Sequence, residues 1–341
     1  MCPTSAQSVV TNLPVIIVTE HGYVAQWGSP GAGDGEFDDP QAIAADVKGY
    51  VYVVDAGNHR VQKFTSSGGF VATWGRQGTG DGEFGDMRGI AVDDNDSVYV
   101  VDAGNHRIQK FSSSGLFVET WGTRGSGPGQ FQEPRDVAVD RSGNIYVVDS
   151  GNRRVQKFDP TGAYLMSWGT PGSNPEQFVS PRAIAIDSAG TVYVLDSGET
   201  RMKLFSSSGN YTSSVSVSAT NDLPSFNPVD VVVDSKDRVY VVDEANNRVL
   251  IPDVSPGANN RYMGMWGGPG TTDGRFNGPT GIAVDRSRSI YVLDTGNSRI
   301  QRFDVVPPTP TRGSGVVMPS VVLIVAGVVL IAGYAGMRGK N

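Results

Sequence analysis

Apolar and polar residues alternate with a period of two along short stretches of this chain, and the stretches recur. Tyr52-Val-Val is followed by Asp55-Ala-Gly-Asn58 and then by Arg60-Val-Gln-Lys-Phe64, where polar and apolar residues alternate again. Aromatic and β-branched residues in alternation suit a strand of a packed sheet. Asp, Gly and Asn suit a tight turn, because they bond their own backbone or tolerate positive φ. The unit therefore predicts a β-hairpin. It returns at Tyr99, Tyr146, Tyr193, Tyr240 and Tyr291, at spacings of 47, 47, 47, 47 and 51 residues, and a fixed period in this range marks a repeat architecture.

Two further strands complete each repeat. One ends in Trp27, Trp74, Trp121, Trp168 or Trp266, each followed by Gly, with Val215 at that place in the remaining copy. An aromatic recurring once per repeat beside Gly predicts a filler between neighbouring sheets. The other is a run of small and branched apolar residues closed by Asp, such as Gln41-Ala-Ile-Ala-Ala-Asp46 and Arg88-Gly-Ile-Ala-Val-Asp93. Such a run predicts a strand crowded on both faces, close to a central axis. Six four-stranded units can stack openly or close into a ring. The last copy stops at Gln301-Arg-Phe303 without its Trp strand, while Tyr23 to Trp27 is a Trp strand without its three predecessors. The N-terminal strand is thus expected to complete the sixth sheet, which removes two open edges.

The motif of Ile-Ala-Val-Asp, then Tyr-Val-Val-Asp-x-Gly-Asn-x-Arg-Ile-Gln-x-Phe, then Trp-Gly resembles the NHL repeat, over residues 23 to 305. The resemblance implies a six-bladed β-propeller, in agreement with the expectation of closure. The fifth copy departs most, with Glu244-Ala245, Ile251-Pro252 and four extra residues before Trp266, and an irregular outer hairpin is expected there. The fold class is all-β: a propeller at 22–305 behind an extension at 1–21. A Pro/Thr-rich spacer follows at 306–315, then a transmembrane helix at 316–337 and a basic tail at 338–341. The span rests on 25 consecutive uncharged residues from Gly313 to Met337, more than the roughly 20 a bilayer requires.

A net charge of −7 and a pI near 5.0 count against a nucleic-acid-binding face. Cys2 is the single cysteine, and His21, His59 and His106 are the only histidines, so intrachain disulfides are excluded and zinc chemistry has few donors. No cofactor is expected. Asp55, Asp102, Asp149, Asp196, Asp243 and Asp294 recur in every copy; a catalytic residue is needed once, so these are expected to bond turn amides and the Arg five residues on.

Residues that break the repeat on the axial strand are the better candidates for a site. Arg88, Arg135 and Arg182 open this strand in three consecutive copies, and Asp136 and Asp230 interrupt a position otherwise Ala or Gly. Three guanidinium groups at a channel mouth, with two carboxylates a position deeper, suit an anionic or zwitterionic ligand; cross-links between blades are the alternative. Two functions stay open. One is a membrane-tethered binding or scaffold module for a protein, glycan or small anionic ligand. The other is a propeller hydrolase or lyase with its site at the channel mouth. Related propellers include metal-dependent lyases and sugar-lactone hydrolases, a likeness of architecture that carries no activity. Arg338 and Lys340 after the span, and the triplets Asn95-Asp-Ser97 and Asn210-Tyr-Thr212, favour a propeller outside the cell. The absence of a basic start in residues 1–20 favours a tail anchor with a cytosolic propeller.

Overall fold

The computed structural model describes residues 21–217, 226–255, 262–305, 323–325 and 328–330. The repeats form six antiparallel four-stranded sheets. The first runs outward through Pro40–Ala45, Val51–Asp55, Arg60–Phe64 and Phe70–Trp74. The sixth is built from Gly281–Val284, Ile290–Asp294 and Arg299–Val305, with the N-terminal strand His21–Trp27 as its outer member. His21 pairs with Val305 and Trp27 with Ile300, so the expected closure is the observed one.

Each second strand is buried along its whole length, and burying such Val, Ile and Tyr side chains stabilises by roughly 1.5–3 kcal/mol each. The core lies between blades. Six apolar clusters each join the strands of two neighbours, and one of them packs Phe37, Ile43 and Val53 of the first blade against Ala283, Tyr291 and Leu293 of the sixth. Trp27 packs at 6.2 Å from Phe64 of the next blade, and a Cβ on Gly68 would meet its indole at 2.7 Å. The residue at that turn has to be glycine for the ring to slide in. Val215 pairs with Met202 at the register that Trp74 takes opposite Val61.

Polar ties close the ring as well. Lys63 Nζ donates to Ser113 O in the next blade, and Lys157 to Ser207 O; Arg302 Nη1 of the sixth blade reaches Ser66 O of the first. In the fifth blade the third strand keeps its full length, Arg248–Pro252, but its ladder to the second strand stops at Leu250. Pro252 has no N–H to donate. Residues 256–261, in the stretch that carries the four extra residues, lie outside the described residues.

The C-terminal segment corrects one expectation. Within 316–337 the described residues form two short strands, Leu323–Val325 paired with Val328–Leu330, in place of a helix. Val and Ile there favour extended backbone. The rest of that segment lies outside the described residues, and no helix among the described residues is long and apolar enough to cross a membrane.

Candidate functional site at the channel mouth

The recurrent polar residues hold each blade to the loop that enters it. Asp55 Oδ1 accepts the Asp38 amide at 2.8 Å, and Oδ2 accepts Arg60 Nε at 2.7 Å and Gln62 Nε2 at 3.1 Å. Asn58 and Arg60 donate onward to Gly31 O and Gly33 O of the glycine-rich loop. The positive φ of the turn falls on His59, at 52°, whereas Gly57 is there because a Cβ would lie 2.6 Å from Asp38. The expected pairing of Asp with the Arg five residues on appears in five blades. The fourth blade differs. Arg201 turns to Ser214, and the buried Lys203, standing where four of the other blades have Gln and the fifth has Leu250, pairs with Asp196 at 3.5 Å and Glu199 at 2.5 Å.

The innermost strands enclose a cavity of about 290 Å³ lined by Arg88, Arg135, Asp136, Arg182 and Asp230 among others. All five candidate residues therefore share one space. Arg88 is held by Asp86 at 2.7 Å and reaches Gln41 Oε1 at 3.4 Å. Arg135 and Arg182 have no hydrogen bond or ion pair among the described residues. Burial pulls the pKa of Arg182 down; Glu244 opposes this, Arg135 adds to it, Asp230 opposes and Arg88 adds. Three like charges thus meet in a partly desolvated place.

The two carboxylates do a different job from the arginines. Asp136 Oδ1 accepts the Val137 amide and its Oδ2 the Ile184 amide of the next blade, both at 2.8 Å; Asp230 does the same with Val231 and with Ile282. They staple neighbouring innermost strands, the third blade to the fourth and the fifth to the sixth. Both keep an edge on the channel, yet burial pushes the Asp136 carboxyl up to about 7 against the pull of its two amides. Asp230 is raised well above the ordinary range, first by burial and then by the Asp136 charge.

Glu244 was legible as a departure from the repeat, and it stands outside the residues that line the cavity. It takes the place of Ala56, Ala103, Ser150, Ser197 and Thr295. Its Oε2 accepts Asn227 Nδ2 at 2.7 Å, and its charge acts on Arg182. The other end of the channel, about 200 Å³, carries Asp46, Asp140, Asp187, Asp234 and Asp285. Each of these accepts a Tyr hydroxyl of its own blade, as Asp46 does from Tyr52 at 3.0 Å. His59 Nδ1 lies 2.8 Å from Gly85 O, and His21 stacks on Trp266 at 5.1 Å. No group of three or more His, Cys, Asp or Glu able to hold a metal occurs among the described residues.

The NHL repeat model matches residues 131–158, 227–251 and 276–303, and a model described as a 6-bladed beta-propeller matches 34–120. The chain is an NHL-repeat β-propeller. No curated protein matches it in sequence. Among solved structures, the NHL propeller is similar to a protein of unknown function from Bacteroides thetaiotaomicron. The TM-score is 0.60 at 20% identity, over 82% of this chain and 76% of that one. A gluconolactonase from Xanthomonas campestris gives 0.58 at 14%, over 79% and 86%. A catalytically inactive virginiamycin B lyase from Staphylococcus aureus with Quinupristin gives 0.54 at 14%, over 78% and 84%. At these identities the likeness is one of fold.

Proposed function

We propose that this NHL propeller is a binding module that holds a small anionic ligand at the channel mouth, between Arg135 and Arg182 with Arg88 beside them. One observation carries the reading: two guanidinium groups line a cavity without a carboxylate partner of their own. Arginine left unpaired in a partly desolvated place is costly unless an anion completes it, and its fork suits carboxylate or phosphate. Asp136 and Asp230 frame the site from below as blade staples. The lyase and lactonase neighbours lend their fold to this reading and no activity.

Arg135→Gln with Arg182→Gln in the full chain, titrated calorimetrically with phosphate, sulfate and short carboxylates, tests it. Each charge-assisted bond contributes roughly 1.5–3 kcal/mol, so the double variant should bind at least about 100-fold more weakly at an unchanged melting temperature. Equal binding, or a failure to fold, would assign the arginines to structure.

The localisation reading is that the uncharged stretch Gly313–Met337 anchors the chain in a membrane with the propeller outside. Protease added to intact cells should release a fragment close to residues 1–305; protection until lysis would place the propeller in the cytosol.

A further inference from the structure

A second space lies away from the channel, beside the loop that leads from the third blade into the fourth. In the first, second, third and sixth blades two side chains tie the corresponding glycine-rich loop. Asn58, Asn105, Asn152 and Asn297 each donate to a loop carbonyl at 2.9–3.1 Å, and a Gln accepts a loop amide at 2.8–3.0 Å, as Gln62 does from Gly35. In the fourth blade Glu199 stands in the place of that Asn and Lys203 in the place of that Gln. A carboxylate has no proton to donate and an ammonium accepts nothing. The Arg that elsewhere reaches the loop, as Arg60 reaches Gly33 O at 2.7 Å, is Arg201 here and bonds Ser214 instead. Lys203 Nζ donates to Asn174 O at 3.2 Å and to Gln177 O, so one ammonium stands in for three side chains.

The loop itself changes with its ties. Gly33-Asp-Gly35, Gly80-Asp-Gly82 and Gly127-Pro-Gly129 of the first three loops give way to Asn174-Pro-Glu176, and a cavity of about 660 Å³ lies there against Trp168, Phe205 and Tyr211. Trp168 and Tyr211 both pack on the fully buried Phe205, with ring centroids at 5.9 and 5.8 Å, and both keep part of their surface open. Carboxamides surround these rings. The exposed Asn174 side chain has no hydrogen bond among the described residues, and Asn210 uses only its NH2, toward Ser208 Oγ at 3.0 Å. Glu176 is the only charged side chain in the lining, so this cavity lacks the cations that mark the channel mouth.

The volume falls within the range of small-molecule sites. Half-open aromatic rings offer a rigid apolar wall, while a carboxamide both donates and accepts, as a hydroxyl does. The pair matches an uncharged ring with C–H groups on its face and hydroxyls at its edge. We propose that this cavity binds a neutral saccharide, its ring laid against Trp168 and Tyr211 and its hydroxyls bonded by Asn174 and Asn210.

The test is titration of the full chain with glucose, galactose, mannose, N-acetylglucosamine, maltose, cellobiose and chitobiose, followed by calorimetry and by tryptophan fluorescence. At least one of these sugars should bind and shift the emission. Trp168→Phe should abolish the shift, while Trp121→Phe, the equivalent ring one blade earlier, should keep it. Asn174→Ala with Asn210→Ala should weaken binding about tenfold at an unchanged Tm, because both side chains are exposed. Arg135→Gln with Arg182→Gln should leave sugar binding as it was. If none of the sugars binds, the saccharide inference falls. If the asparagine variant binds as tightly as the unaltered chain, or if the arginine variant weakens binding equally, the sugar sits elsewhere and the assignment to this cavity is wrong.

Discussion

Asp149→Ala probes what holds a blade to the loop that enters it. Asp149 is fully buried and accepts four groups: the Gln132 amide at 2.7 Å, Asn152 Nδ2 at 2.8 Å, Arg154 Nε at 2.8 Å and Gln156 Nε2 at 3.2 Å. Removing one partner of a buried ion pair costs about 3–5 kcal/mol, because the other charge stays behind. The stranded Gln132 amide adds about 1–3 kcal/mol. Arg154 keeps its bonds to Gly127 O and Gln130 O and retains a little exposure, so the lower end applies, about 4 kcal/mol. For a domain of this size that is a fall in Tm of roughly 8–16 °C. Asp149→Asn preserves an acceptor for Gln132 but sets an NH2 against the arginine, and should fall between Ala and the unaltered chain. Arg76→Ala is the control: its pair with Glu83 leaves the arginine side chain 79% exposed, and such pairs contribute under about 1 kcal/mol. Thermal denaturation followed by circular dichroism, with urea unfolding to check that m is unchanged, measures all three. Asp149→Ala melting within about 3 °C of Arg76→Ala would refute the view that this network ties loop to blade.

Deleting residues 1–28 removes the outer strand of the sixth blade and exposes the Arg299–Val305 edge; the Tm should drop by more than 10 °C by order of magnitude, and an unchanged melt would refute closure. The pH dependence follows from Asp136. Its folded carboxyl holds a proton up to about 7 that the unfolded chain releases near 4. This contribution is therefore complete below about pH 4 and is lost as pH rises through about 7. The Tm should decline across that window, and Asp136→Ala should melt lower at acid pH but with a flatter slope; parallel slopes would show that Asp136 does not carry the dependence.

The fold was legible because its devices recur. Tyr52, Trp74 and Asp55 mean the same thing in each copy, and one period of 47 residues exposes them all. Val215 could be placed opposite Met202 by alignment with the tryptophans alone. The site was legible only in part, since Arg88, Arg135 and Arg182 announce themselves by breaking the repeat. That Asp136 and Asp230 reach across to Ile184 and Ile282 depends on blade spacing, which no alternation pattern encodes. Lys203 taking the place of a repeat Gln shows the same limit: a long ammonium and Glu199 rebuild the tie with other atoms. The Val-rich run near Leu323 was legible as an uncharged apolar stretch, but the extended backbone of Leu323–Val325 and Val328–Leu330 was not.

The pairing of His21–Trp27 with Arg299–Val305 also sets a schedule for synthesis. The strand that finishes the molecule is made first and its partner last, so the ribosome must add nearly 280 residues between them. At about 5–20 residues per second, the N-terminal strand waits roughly 14–56 s with its hydrogen-bonding edge open. Val24, 47% exposed in the finished protein, is uncovered with it. During that interval the growing chain holds up to five finished blades and no ring. A cell making this protein has to guard one short strand for as long as the rest of the propeller takes to appear.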